Sequence, residues 1–137
     1  MTSPRICIID DQIAFIRLCE RILTSEGYAC ETVRDLGSAQ KEVAASQPEV
    51  VVLDIRLGAE ADGLNSLVEL STDERTRRIP IVICTASRDL LITHQALIEE
   101  LGCEIVEKPF DVETFVSAIQ RCLESTHSAE PGAPMLR

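Results

Sequence analysis

Residues 5–9, 50–53 and 81–84 are short runs of almost uninterrupted Ile, Val, Leu and Cys, most of them β-branched. A strand with one wet face alternates apolar and polar side chains; these runs do not alternate, so each reads as a strand buried on both faces. Strands of that kind belong to parallel sheets covered by helices on either side, and the intervening sequence supplies the helices. Residues 12–25 carry Phe15, Leu18, Cys19, Ile22 and Leu23 at helical spacing, and Gly27 ends that helix. Residues 28–33 form a more polar strand, expected near an edge, followed by a weaker helix over 38–46 that stops at Pro48. A loop through Gly58 to Gly63 leads into a helix over 64–71, and the charged segment 72–79 is loop. A helix over 89–101 ends at Gly102, a strand covers 103–106, and a last helix over 111–124 presents Val112, Phe115, Val116, Ile119 and Leu123 on one face. Five βα units of this kind predict a doubly wound α/β fold, with a five-stranded parallel sheet, right-handed crossovers and helices on both faces.

At 137 residues the chain has room for one domain with a full core. That domain is expected over 1–124, with 125–137 a disordered tail holding two prolines, a glycine and no periodicity. The net charge of -10 argues against direct binding to nucleic acid. No apolar stretch approaches the roughly 20 residues of a membrane span, and no signal peptide precedes the first strand. The six cysteines lie in predicted strands and helices without a C-x-x-C pair, as small buried hydrophobes do, and a cytoplasmic location is expected.

The chemistry gathers at strand ends. Asp10 and Asp11 end the first strand and Asp54 ends the third, pointing into the crevice where open α/β sheets bind ligands. Three acids there repel one another unless a cation sits among them, and Mg²⁺ suits a site of two or three carboxylates plus water. Thr85 follows the fourth strand and Lys108 the fifth, so hydroxyl and ammonium open on the same crevice. An aspartate can serve as a nucleophile and carry a phosphoryl group, a transfer that needs little beyond positioning and charge neutralisation. Asp11 is expected to cap the first helix as well. Arg56 and Ser87, each two residues past a site residue, are expected at the rim, controlling water access. His94 and His127 read as ordinary surface residues.

Together, Ile-Ile-Asp10-Asp11, Val-Val-Leu-Asp54-Ile-Arg-Leu, Thr85-Ala86 and Lys108-Pro109-Phe110 resemble the receiver domain of bacterial two-component response regulators, over roughly residues 5–124. The resemblance implies a flavodoxin-like strand order 2-1-3-4-5. It implies that Asp54 is the phosphoacceptor, that Asp10, Asp11, Asp54 and the backbone carbonyl of Arg56 hold Mg²⁺, and that Thr85 and Lys108 contact the phosphoryl group. A cis peptide before Pro109 is also implied. The implied donor is a sensor histidine kinase or a histidine phosphotransfer protein. The implied output is a downstream protein bound on the face of the fourth helix, fifth strand and last helix, with Leu91 and Ile92 on its outer side. A stand-alone regulator is expected, with a fragment of a larger regulator as the alternative.

Three departures from the family pattern stand out. The segment from Asp54 to Gly63 is one residue longer than the commonest spacing, and the turn from Gly102 to Lys108 is one shorter. The fifth-strand position that is often Tyr or Phe is Ile105. A switch lacking that ring is expected to work by a smaller repacking of Thr85 against Ile105. The rival from another class is a Mg²⁺-dependent phosphatase of the haloacid dehalogenase type. It needs a second acid two residues after the nucleophile, where this chain has Arg56.

Overall fold

The computed structural model describes residues 3–56 and 62–128. Its five strands are β1 (Arg5–Ile9), β2 (Ala29–Val33), β3 (Val50–Leu53), β4 (Ile81–Thr85) and β5 (Glu104–Glu107). They pair in parallel in the order β2-β1-β3-β4-β5, so the polar strand β2 is indeed at an edge. The helices are α1 (Ile13–Ser25), α2 (Leu36–Ser46), α3 (Asp62–Thr72), α4 (Arg88–Thr93), α5 (Gln95–Leu101) and α6 (Val112–Ser128).

The period-2 geometry of a strand divides the apolar runs between two cores. Ile6, Ile8, Val50, Val52, Val82, Cys84 and Val106 pack with α1 and α6. Cys7, Ile9, Val51, Leu53, Ile81 and Ile83 pack with α2, α3, α4 and α5. Cys7, Cys19, Cys84 and Cys122 are buried, and burial pushes the Cys7 and Cys84 thiols up to about 12, which keeps them protonated. Cys103 lies between α5 and β5 rather than within an element. Among the described residues no disulfide joins any pair.

Several expected details are corrected. On α1, Leu18 is exposed and Ile16 takes its place in the core, because the inward stripe is centred on Cys19 and Leu18 lies about 100° away from it. Val112 is exposed at the first turn of α6, while Ala118 and Cys122 complete the buried face. The helix expected over 89–101 is two helices broken at His94, whose φ of -111° and ψ of 23° leave the helical range. The β-branched pair Ile92-Thr93 precedes the break and favours helix poorly. The last helix does not stop at residue 124: α6 runs to Ser128, since no proline or glycine interrupts the chain before Pro131. The expected loop at 57–61 and the tail from 129 lie outside the described residues.

Candidate functional site

The register of the central strands brings the acids together. Ile9 stands opposite Leu53, so Asp10 and Asp54, one residue further along β1 and β3, are neighbours at the carboxyl edge of the sheet. The Asp54 N–H donates to the Ile9 carbonyl at 3.4 Å. On the other side, the Lys108 N–H donates to the Thr85 carbonyl at 2.9 Å and ties the end of β5 to the end of β4. The Lys108–Pro109 peptide is cis.

Lys108 Nζ lies 3.0 Å from Asp10 Oδ2 and 3.2 Å from Asp54 Oδ2, and 3.9 Å from the centroid of the Phe15 ring. Asp10 is 1% exposed, and its other oxygen accepts the Gln12 N–H at 3.0 Å. Asp10 therefore lies beneath the site and braces Lys108. Asp54 Oδ1 accepts the Arg56 N–H at 2.8 Å. Above these groups opens a cleft of about 380 Å³ lined by Asp11, Gln12, Asp54, Arg56, Thr85, Ala86 and Lys108.

Burial alone would lower the Lys108 pKa. The hydrogen bond to Asp10 and the charges of Asp54 and Asp10 outweigh it and hold the ammonium above its ordinary value. A cation whose folded pKa is raised stabilises fully below its unfolded value of about 10.4 and loses that contribution as pH rises through the folded value. Wild type and Lys108→Met, compared by urea unfolding, are thus expected to differ by a constant amount from neutral pH to about 10. A gap that closed near pH 8 would show the ammonium titrating early.

Two roles expected for these residues are corrected. Asp11 does not cap α1: Gln12 holds the cap position without a side-chain bond, and Asp11 faces the cleft. Ser87 is buried and caps α4, accepting the Leu90 N–H at 3.3 Å, so it does not stand at the rim as Arg56 does. Thr85 is the last residue of β4, and its hydroxyl oxygen accepts the Ser87 N–H at 3.2 Å. That leaves the hydroxyl proton to donate to an incoming oxygen.

Sequence reasoning counted Phe15 only as core and missed Gln12. The weight of Gly63 also emerges only in three dimensions. A Cβ there would stand 2.3 Å from the Asp54 carbonyl oxygen and 2.6 Å from Ile55 Cα. His94 is half-buried at the α4–α5 junction rather than within a helix.

Among the described residues no three carboxylate, imidazole or thiolate side chains converge closely enough to enclose a metal ion by themselves. The donors facing the cleft are two carboxylates, Asp11 and Asp54. That set fits Mg²⁺, which takes one or two carboxylates and keeps several waters, better than a cation needing a full protein cage.

The family model described as the response regulator receiver domain matches residues 6–120. The chain belongs to that family. This receiver is 34% identical over 121 residues to the nitrogen assimilation regulatory protein NtrX of Azorhizobium caulinodans, covering 88% of this chain and 26% of that protein. It is 32% identical over 123 residues to the DNA-binding regulator RpaA of Synechocystis, covering 90% of this chain and 50% of that one. The chain thus spans between about a quarter and a half of these relatives. Among solved structures, a sensor protein from Polaromonas superposes with a TM-score of 0.80 at 26% identity, covering 90% of this chain and 98% of that one. A CheY-like receiver from Methanospirillum hungatei has the same fold, with a TM-score of 0.80 at 20% identity over 94% of this chain and all of that one. Receiver domains are signalling switches rather than conventional enzymes, and the flavodoxin-like order 2-1-3-4-5 is the family's. No helix among the described residues is long and apolar enough to cross a membrane.

Proposed function

We propose that this receiver is switched by transfer of a phosphoryl group from a phosphohistidine to Asp54. The observation that carries the reading is the setting of Asp54. Its carboxylate lies at the floor of an open cleft with one oxygen 3.2 Å from Lys108 Nζ and the other on the Arg56 N–H. In the step, an Asp54 oxygen bonds to phosphorus, the P–N bond breaks, and the donor imidazole leaves with its electron pair and takes up a proton. Lys108 and the Thr85 hydroxyl then receive phosphoryl oxygens. Asp11, Asp54 and the Arg56 carbonyl would hold Mg²⁺, with Asp10 adding its charge from below. The ion supplies neutralisation of the phosphoryl oxygens.

The donor we propose is a sensor histidine kinase or a histidine phosphotransfer protein. Phosphorylation replaces the -1 of the Asp54 carboxylate with an acyl phosphate of about -1.5 to -2. Up to about one further negative charge, borne on three acceptor oxygens, thus appears next to Asp10 and Asp11 and pulls Thr85 and Lys108 towards it. The population shifts to an altered packing of α4, α5, β5 and α6, which a partner protein reads. On that face Ile92 is 64% and Ile105 42% exposed, beside the Arg88–Glu107 and Arg121–Glu104 ion pairs. Leu91, expected on the outer side, is buried instead and anchors α4. Whether the unit acts as a stand-alone regulator in the cytoplasm or inside a longer chain, its output is read from this surface. A net charge of -10 leaves direct contact with nucleic acid to other domains or partners.

Incubation with Mg²⁺ and a small acyl phosphate is expected to add one phosphoryl group per chain by intact mass, and Asp54→Ala to abolish the adduct. Undiminished labelling of Asp54→Ala would overturn the assignment.

A further inference from the structure

All three phenylalanines of the chain meet beside the site, on the α1–α6 side of the sheet. Phe110 meets Phe15 edge-on, with centroids 5.9 Å apart and planes at 82°, and stacks on Phe115 at 5.0 Å and 16°. Phe115 is fully buried, whereas Phe15 and Phe110 are partly so. The face of the Phe15 ring that is turned to the site carries the Lys108 ammonium, 3.9 Å from the centroid. On the opposite side of the sheet, Ile105 pairs in register with Ile83 and offers no ring.

We infer that Phe15 is a positioning residue for Lys108, with the Phe110–Phe115 stack as its brace. The inference rests on the phosphoacceptor role of Asp54. Lys108 has a long stem with many rotamers, and two acids compete for its head group. The Phe15 π-face attracts the ammonium without drawing it towards either acid, and the quadrupole is most effective where water is excluded. The ring so limits the positions open to Nζ, including those it takes when one Asp54 oxygen becomes bonded to phosphorus. The neighbouring rings limit tilting: Phe110 abuts Phe15 edge-on, and Phe115 backs Phe110 from the core. A merely space-filling Phe15 would be replaced by leucine at no cost to Lys108, and that contrast gives the test.

In the unphosphorylated protein the side-chain methylene protons of Lys108, assigned by their loss in Lys108→Arg, should be shifted upfield by the ring current of Phe15. Phe15→Leu should remove the shift and slow labelling by a small acyl phosphate about tenfold, the scale of one desolvated cation–π contact. Phe15→Tyr, which keeps the ring, should restore both, with thermal unfolding confirming that each variant is folded. Wild-type labelling rates in Phe15→Leu, or an unshifted Lys108 in the wild type, would overturn the inference. A wild type that accepts no phosphoryl group at all would instead overturn the role of Asp54, while the ring-current shift reports on the contact alone.

Discussion

Replacing Gly63 by alanine is expected to cost about 3 kcal/mol of stability, the upper part of the range for inserting atoms into packed structure. The added Cβ would fall 2.3 Å from the Asp54 carbonyl oxygen and 2.7 Å from the Ile55 carbonyl carbon. These are backbone atoms, which cannot swing aside as a side-chain tip would. Either α3 moves off the sheet or the end of β3 shifts, and the second displaces Asp54, the proposed phosphoacceptor. A urea unfolding midpoint should fall sharply, and acyl-phosphate labelling of the folded remainder should slow with it. A variant with wild-type stability would mean that α3 sits further from Asp54 than the structure describes.

Lys108→Ala should act through charge. It leaves Asp10, which is 1% exposed, beside Asp54 with no cation between them. Removing one partner from a fully buried pair costs about 3–5 kcal/mol; some solvent reaches Lys108 and Asp54, so about 2 kcal/mol is expected here. A further signature separates this from a packing loss: Mg²⁺ should stabilise the variant more than the wild type, because the ion then replaces the missing ammonium beside the two acids. Thermal unfolding of both proteins with and without Mg²⁺ reads it. Equal Mg²⁺ stabilisation of the two proteins would place the ion's site away from Asp10 and Asp54.

The sheet was legible because burial on both faces removes polar residues from β1, β3 and β4, and few other structures tolerate such runs. Strand order was not legible from pattern alone; it came with the family resemblance. Asp10, Asp54, Thr85 and Lys108 could be placed because a strand end is a sharp address in the sequence. What periodicity could not say was which carboxylate faces the cleft. Asp10 and Asp11 are adjacent, and only the hydrogen bonds to Lys108 and Gln12 set Asp10 beneath while Asp11 looks outward. Capping failed for a similar reason, since Asp11 is an acceptable cap by type but Gln12 occupies the cap position of α1. The contact between Phe15 and Lys108 joins residues 93 positions apart, beyond the reach of any local pattern.

The interruption at His94 leaves α4 with six residues and α5 with seven. Helices this short do not sustain themselves in water and depend on what they rest against. Here each is pinned by one buried side chain, Leu91 in the first and Ile98 in the second, with Leu90 and Leu101 partly buried beside them. Reshaping this stretch therefore disturbs little of the hydrophobic interior, and a ligand laid across it can contribute much of the order it needs. The proposed recognition face thus includes helices that rearrange at little expense, so that docking there and rearrangement would draw on the same small reserve of free energy.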